Sequence, residues 1–421
     1  MAPKRPVYLD YHATTPCDPE VVEEMLRFLG VDSHFGNASS RTHAFGWAAE
    51  KGVDIARERL AACIGATPRE LLFTSGATEA NNLAIKGAAL AYAEKGRPLR
   101  KGRGGAKGKH IITQAIEHKA VLDSCKWLET MGYDVTVLDV DENGHVEPNA
   151  VADAIRDETI LVSIMFANNE VGAVQPIQKI GEICHENDVL FHCDAVQGVG
   201  RLPFDISTLS IDLVSLSAHK MYGPKGIGAL YVRRGRPRIK LEALQHGGSQ
   251  ERGLRAGTLP VSQIVGFGKA AELAQAEVSG DVAATLEQLR NKLYEGLVRE
   301  IPHLRLNGSL ENRLPNNLNV SFTCVEAEAL MMATRQVAVS TGSACSSASL
   351  EPSYVLRAMG VPDELAHCSI RFGLGRWTTE EDIDFTVDLF KTKVAELRAM
   401  SPVYKLIEEG AEIPSAQWTV D

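Results

Sequence analysis

S-L-S-A-H-K-M-Y-G-P-K-G, residues 215–226, sets a lysine just past a short apolar run and encloses it with His219, Tyr222 and glycines. An apolar run of this length, closed by glycine and proline, reads as a buried strand, and Lys220 sits where that strand stops. A lysine amine kept partly unprotonated there by burial or neighbouring cations can condense with an aldehyde such as that of pyridoxal phosphate. A lone lysine reads more readily as a solvated surface group. The case therefore rests on whether the chain also supplies an electron-sink partner, a phosphate cradle and a ring-stacking group.

Working outward, strand-like runs alternate with helical patterns from about residue 70 to about 235, which predicts a mostly parallel sheet flanked by helices. V-L-F-H-C-D-A-V-Q (189–197) ends its apolar run in Asp194, with Gln197 three positions on. A carboxylate at that place can pair with a protonated pyridine nitrogen, and Gln197 can donate to the phenolic oxygen; a helix N-cap is the competing use of Asp194. L-L-F-T-S-G-A-T-E-A-N-N (71–82) passes from strand through glycine into helix, so the N–H groups of Ala77 and Thr78 would face an anion. Ser217 and His219 add donors. His118 follows H-I-I-T-Q-A-I-E and opens a helical pattern, placing it for ring stacking and proton transfer, or for capping. Asn169 closes I-L-V-S-I-M-F-A-N and is either a ligand contact or a turn residue.

V-S-T-G-S-A-C-S-S-A-S-L-E-P (339–352) embeds Cys345 in small polar residues without apolar periodicity, a composition expected of an exposed, mobile loop. A packing cysteine sits among aliphatics; this one reads as a reactive thiolate. C-S-I-R-F-G-L-G (368–375) presents Arg371, whose planar fork suits an amino-acid carboxylate, a structural ion pair being the equal alternative. Asn37, in F-G-N-A-S-S-R, is a candidate helper.

Together these segments resemble the cysteine desulfurases of the NifS/IscS type, pyridoxal phosphate enzymes of the aminotransferase class-V family. The resemblance extends through Y-L-D-Y-H-A-T-T-P, N-N-E-V-G, G-S-Q-E-R-G-L-R-A-G-T and S-L-E-P-S-Y-V-L-R-A and spans nearly the whole chain. It implies fold type I: a large domain with a mostly parallel seven-stranded sheet over 18–276, and a smaller α+β domain over 277–421 to which residues 1–17 return. It implies that Lys220 binds pyridoxal 5'-phosphate covalently, that His118 stacks and moves protons, and that Asp194 and Gln197 hold the ring. Ala77, Thr78, Ser217 and His219 would hold the phosphate, joined by Thr258 from a second copy in a homodimer. Asn37, Asn169 and Arg371 would complete the substrate site. Cys345 would take sulfur from L-cysteine as a persulfide, leaving L-alanine, and pass it to an iron-sulfur scaffold protein and other acceptors, with tRNA thiolation a further use. No resident metal is implied, although the Cys345 persulfide would meet a scaffold-bound cluster transiently.

Three departures stand out. Ala218 replaces a glycine common in relatives. The Lys/Arg/Gly-rich stretch 94–109 is longer than the usual connection and reads as a solvated loop. The tail has Gln417 beside Trp418 where the pattern favours glutamate, which bears on scaffold docking.

Bulk properties agree with this reading. The 421 residues carry a net charge of -10, which disfavours a general nucleic-acid binder. The N-terminus lacks an apolar signal region and no run is long enough to span a bilayer, so a cytoplasmic protein is expected. Eight cysteines without a C-x-x-C pair suggest neither a zinc site nor a disulfide framework.

Overall fold

The computed structural model describes residues 6–93, 108–235, 238–341 and 351–409. Cys345, most of the basic stretch 94–109, and Gln417 with Trp418 lie outside them.

In chain order the first half runs β1 (Val7–Tyr8), α1 (Pro19–Leu26), α2 (Ala44–Cys63), β2 (Leu71–Thr74), α3 (Ala77–Tyr92), β3 (His110–Gln114), α4 (Lys119–Thr130), β4 (Asp134–Leu138), α5 (Pro148–Ala154), β5 (Thr159–Ser163), α6 (Ile177–Glu186), β6 (Leu190–Asp194), β7 (Leu213–Ser217) and β8 (Gly228–Val232). The second half runs α7 (Val261–Val278), α8 (Val282–Glu300), β9 (Leu304–Leu306), β10 (Asn317–Phe322), α9 (Ala327–Ala333), β11 (Val337–Ala338), α10 (Tyr354–Ala358), α11 (Asp363–Ala366), β12 (Ser369–Gly373), α12 (Glu380–Ala399) and α13 (Pro402–Glu408).

Seven strands form one sheet in the order β2-β8-β7-β6-β5-β3-β4, and among the described residues only β8 runs against the rest. The fold is thus the expected α/β architecture. Strands β5, β6 and β7 are buried throughout, which is why they read as unbroken apolar runs and not as alternating ones. Separate apolar clusters cover the two sheet faces: Phe73, Val162, Phe191 and Phe267 belong to one, Leu72, Leu83, Ile111 and Leu128 to the other. α3 begins two residues after β2 at one edge and carries the chain across the sheet to β3, next to the far edge strand β4.

A smaller antiparallel sheet, β12-β10-β9, packs its apolar residues against α8 and α12 around Phe322, Phe372 and Phe390. The N-terminal segment pairs with this part of the molecule: β1 lies parallel to β11, and Asp10 bridges to Gly373. Asp18 before Pro19 and Glu20 reads in the sequence as a helix cap, and Thr378 with Glu381 as a capping box; the two meet different outcomes. Asp18 caps α1 through Glu20 N–H at 2.9 Å, with Pro19 in the first turn. The capping box of α12 is Thr379 with Asp382, one residue later than the expected Thr378 and Glu381. Thr378 instead closes the preceding turn by accepting from Gly375 N–H at 3.0 Å.

Candidate active site

The C-terminal ends of β2, β5, β6 and β7 open onto one cavity of about 660 Å³. Its walls include Ser75, Gly76, Ala77, Thr78, His118, Asn169, Asp194, Gln197, Ser217, His219, Lys220 and Arg371. Nine of the ten residues that the sequence places in cofactor or phosphate contact are accounted for here, all but Thr258.

The cradle forms because β2 stops at Thr74 and α3 begins at Ala77, two residues later. The N–H groups of Ala77 and Thr78 have no intrahelical acceptor and carry the positive end of the helix dipole. Gly228 permits this junction: a Cβ there would lie 2.6 Å from the Gly76 carbonyl carbon.

Lys220 closes a short turn, Ala218–Lys220, after β7. Its amine donates to the carbonyl oxygens of Ala13, at 2.8 Å, and His12, while its own carbonyl accepts from Arg201 at 2.7 Å. Ala218 is fully buried against Gly223, where an added Cβ would lie 2.8 Å from the Ala218 Cβ. The loop therefore packs around the alanine. The His219 imidazole meets Thr14 Oγ1 at 3.1 Å, and burial, then the Lys220 and Lys225 charges, bring its pKa down to about 4. It is neutral at physiological pH.

Asp194 is buried at the end of β6, where Oδ2 accepts from Asn81 Nδ2 at 2.7 Å and Oδ1 from Val196 N–H at 3.1 Å. Among the described residues it makes no ion pair. The N-cap alternative is not realised, since no helix begins there. Gln197 is clamped by His12 at both ends of its amide: Oε1 lies 3.1 Å from Nδ1 and Nε2 donates to the His12 carbonyl at 3.2 Å.

His118 satisfies both of its readings. It caps α4, Nδ1 accepting from Ala120 N–H at 3.1 Å, which leaves the proton on Nε2, and its ring walls the cavity. Arg371 donates to the Asn169 carbonyl at 3.1 Å, to Asp10 at 2.8 Å and to Ser340 Oγ at 3.0 Å. The ion-pair account of this arginine is therefore realised, on a side chain that also faces the cavity.

Two expected residues are not brought to the cavity by this chain. Asn37 is exposed and its Oδ1 accepts from Ser39 N–H at 2.9 Å in a local turn. Thr258 is exposed elsewhere on the surface, and Cys345 falls outside the described residues.

Sequence reasoning passed over His12, Thr14 and Asn81. The first two sit in a segment with no periodicity, and their only signal was membership of Y-L-D-Y-H-A-T-T-P. Asn81 had a readable signal: it lies one helical turn beyond Ala77, on the same face of α3. Glu117 was also missed. Fully buried beneath the cavity, its Oε1 accepts from Gln114 Nε2 at 2.7 Å and Met165 N–H at 2.5 Å. Burial, assisted by the Asp194 charge, pushes its pKa up to about 8.

The model of the aminotransferase class-V family matches residues 7–385, and the cysteine desulfurase IscS of Salmonella paratyphi B is 55% identical over 99% of both chains. The chain belongs to the class-V family, in its NifS/IscS cysteine desulfurase branch. Among solved structures, a NifS-like protein superposes on this class-V chain with a TM-score of 0.84 at 37% identity, covering 93% of it and 100% of the neighbour. SspA in complex with cysteine gives 0.75 at 38% identity, covering 89% and 100%. The motifs quoted from the sequence thus point to the family that the whole chain matches. Among the described residues no helix is long and apolar enough to cross a membrane.

Proposed function

We propose that this chain converts L-cysteine to L-alanine with pyridoxal 5'-phosphate, the sulfur passing to the Cys345 thiol as a persulfide. The observation that carries the reading is the convergence of Lys220, Asp194, His118 and the N-terminus of α3 on one cavity.

The residues fit the cofactor. Asp194 is a buried carboxylate facing the cavity without an ionic partner among the described residues, an arrangement that calls for a bound cation such as a pyridinium. The α3 N-terminus, Ser217 and His219 suit a phosphate. When bound, the group supplies an electron-poor ring that takes up the charge released at the substrate Cα.

The chain's own groups do the rest. Lys220 Nζ, already aimed into the cavity, accepts the Cα proton. His118 Nε2, fixed as a donor by its capping bond, protonates the carbon product as the Cys345 thiolate takes the substrate sulfur and the C–S bonding pair remains with carbon. Asn81 orients Asp194 by its hydrogen bond to Oδ2, and His12 holds Gln197 toward the ring. Arg371 and Asn169 orient the substrate carboxylate.

The same reading includes a homodimer in which Thr258 of one copy completes the phosphate site of the other. It includes a division into 18–276 and 277–421, with 1–17 returning to the second part, supported by the separate apolar cluster around Phe322 and Phe390. Delivery of sulfur to an iron-sulfur scaffold and other acceptors in the cytoplasm completes it.

The test is incubation with L-cysteine, alanine assay and peptide mass mapping. Alanine should form and Cys345 should gain 32 Da, the mass of about one sulfur atom. Borohydride treatment should attach the cofactor to Lys220. Sustained alanine release by Cys345→Ala, or trapping at another lysine, would refute the assignment.

A further inference from the structure

The loop between β8 and α7 reaches back to the anion cradle at two points. β2 is an edge strand, paired only with β8 among the described residues, so its outer N–H and C=O groups need other partners. Glu251 supplies one: its carboxylate accepts from Phe73 N–H at 2.8 Å. The same carboxylate takes both Arg57 terminal nitrogens, at 2.9 and 2.6 Å. The Leu71 carbonyl in turn accepts from Arg57 and Arg252, each at 3.0 Å. A side-chain clasp thus stands where another strand would pair, immediately before the cradle at Ser75–Thr78.

The second point is Arg255. It pairs with Glu79 at 2.9 Å, and Glu79 Oε2 accepts from Ser75 N–H at 2.7 Å. Glu79 is in the first turn of α3 and lines the cavity. Glu251 is buried, and it and Arg252 occupy the left-handed region, with φ of 44° and 62°. L-residues hold that conformation only where surrounding contacts over-determine it. Here the over-determining contacts are the ones that lead to the cradle.

We propose that Glu251 and Arg255 are positioning residues for the cofactor phosphate: they fix the spacing between the end of β2 and the start of α3. The inference rests on the cradle taking a phosphate, as argued above. It adds that affinity for that phosphate is set by Glu251 and Arg255, which do not touch it, from the loop whose far end carries the exposed Thr258.

The test compares pyridoxal phosphate with pyridoxal, which lacks the phosphate, on full-length protein freed of cofactor, with binding read by absorbance and fluorescence. Glu251→Gln should weaken pyridoxal phosphate about tenfold while leaving pyridoxal within about twofold, because only the phosphate contacts are misplaced. Far-UV circular dichroism checks the fold. Should Glu251→Gln fail to fold, Arg255→Gln, which breaks the second point, carries the same expectation. Equal losses for both compounds, or none for either, would overturn the inference alone. Wild-type protein that takes up neither compound would remove the proposed function and this inference with it.

Discussion

Arg371 shows how one side chain can be both structural and site-facing. Its guanidinium is 5% exposed and neutralised by Asp10, 2.8 Å away, with Ser340 and the Asn169 carbonyl as further acceptors. Removing one partner of a buried pair leaves the other charge uncompensated, which costs more than the loss of a neutral hydrogen bond. Asp10→Asn should therefore destabilise the fold by about 3 kcal/mol in urea titration, and Ser340→Ala by about 1 kcal/mol. The reverse order would mean that the ion pair is not what holds this arginine. At this scale much of the site was legible. Lys220, Asp194, Gln197 and His118 each follow an apolar run, and the end of a parallel strand is where such a sheet binds ligands. His12 was not legible, because what makes it matter is a contact with Gln197, 185 positions away.

Among the elements, β5, β6 and β7 share a polar rung inside the sheet. His192 on β6 meets Ser163 Oγ at 2.8 Å through Nδ1 and Ser215 Oγ at 3.0 Å through Nε2. Burial lowers its pKa to about 3, so the folded state holds the imidazole neutral while the unfolded chain would protonate it near its ordinary value of 6.5. The stability this histidine contributes is intact above that value and is lost as pH falls toward 3. Between pH 7 and pH 5 the loss should be about 2 kcal/mol, and His192→Gln should escape it in urea titrations at the two pH values. Equal pH sensitivity of the two proteins would count against the assignment. Glu117 acts with the opposite sign: its raised value favours folding below 4.5, and that advantage fades as pH climbs through about 8. The strands themselves were plain in the sequence. The rung was not, since histidine and serine within an apolar run give no sign of their cross-strand partners. The α12 cap shifted by one residue for a related reason: two adjacent threonines offer the same hydroxyl, and the turn at Gly375 decides which is used.

Across the whole molecule, Arg376 joins the two sheet-bearing parts. It pairs with Asp18 at the start of α1 and with Glu277 near the end of α7, at 2.8 Å, and its guanidinium lies 3.7 Å from the centre of the Tyr222 ring. Arg376→Ala should cost about 3 kcal/mol of unfolding free energy in urea, because two carboxylates at a largely buried seam lose their counter-charge. Arg376→Lys should recover less than half, since an ammonium cannot stack on the ring as a guanidinium does. Full recovery by lysine would mean that charge alone matters at the seam. The alternation of strand and helix made the large sheet readable, whereas the seam depends on contacts between distant segments and left no local pattern. The path of α3 bears on how the protein can be handled. It delivers the chain at Ala93 to the rim of the sheet remote from the cavity, and the chain re-enters that rim at Gly108 ahead of β3. A fluorescent reporter or affinity tag spliced between those two residues would ride on the molecule's back, leaving the catalytic mouth clear for both substrate and sulfur acceptor.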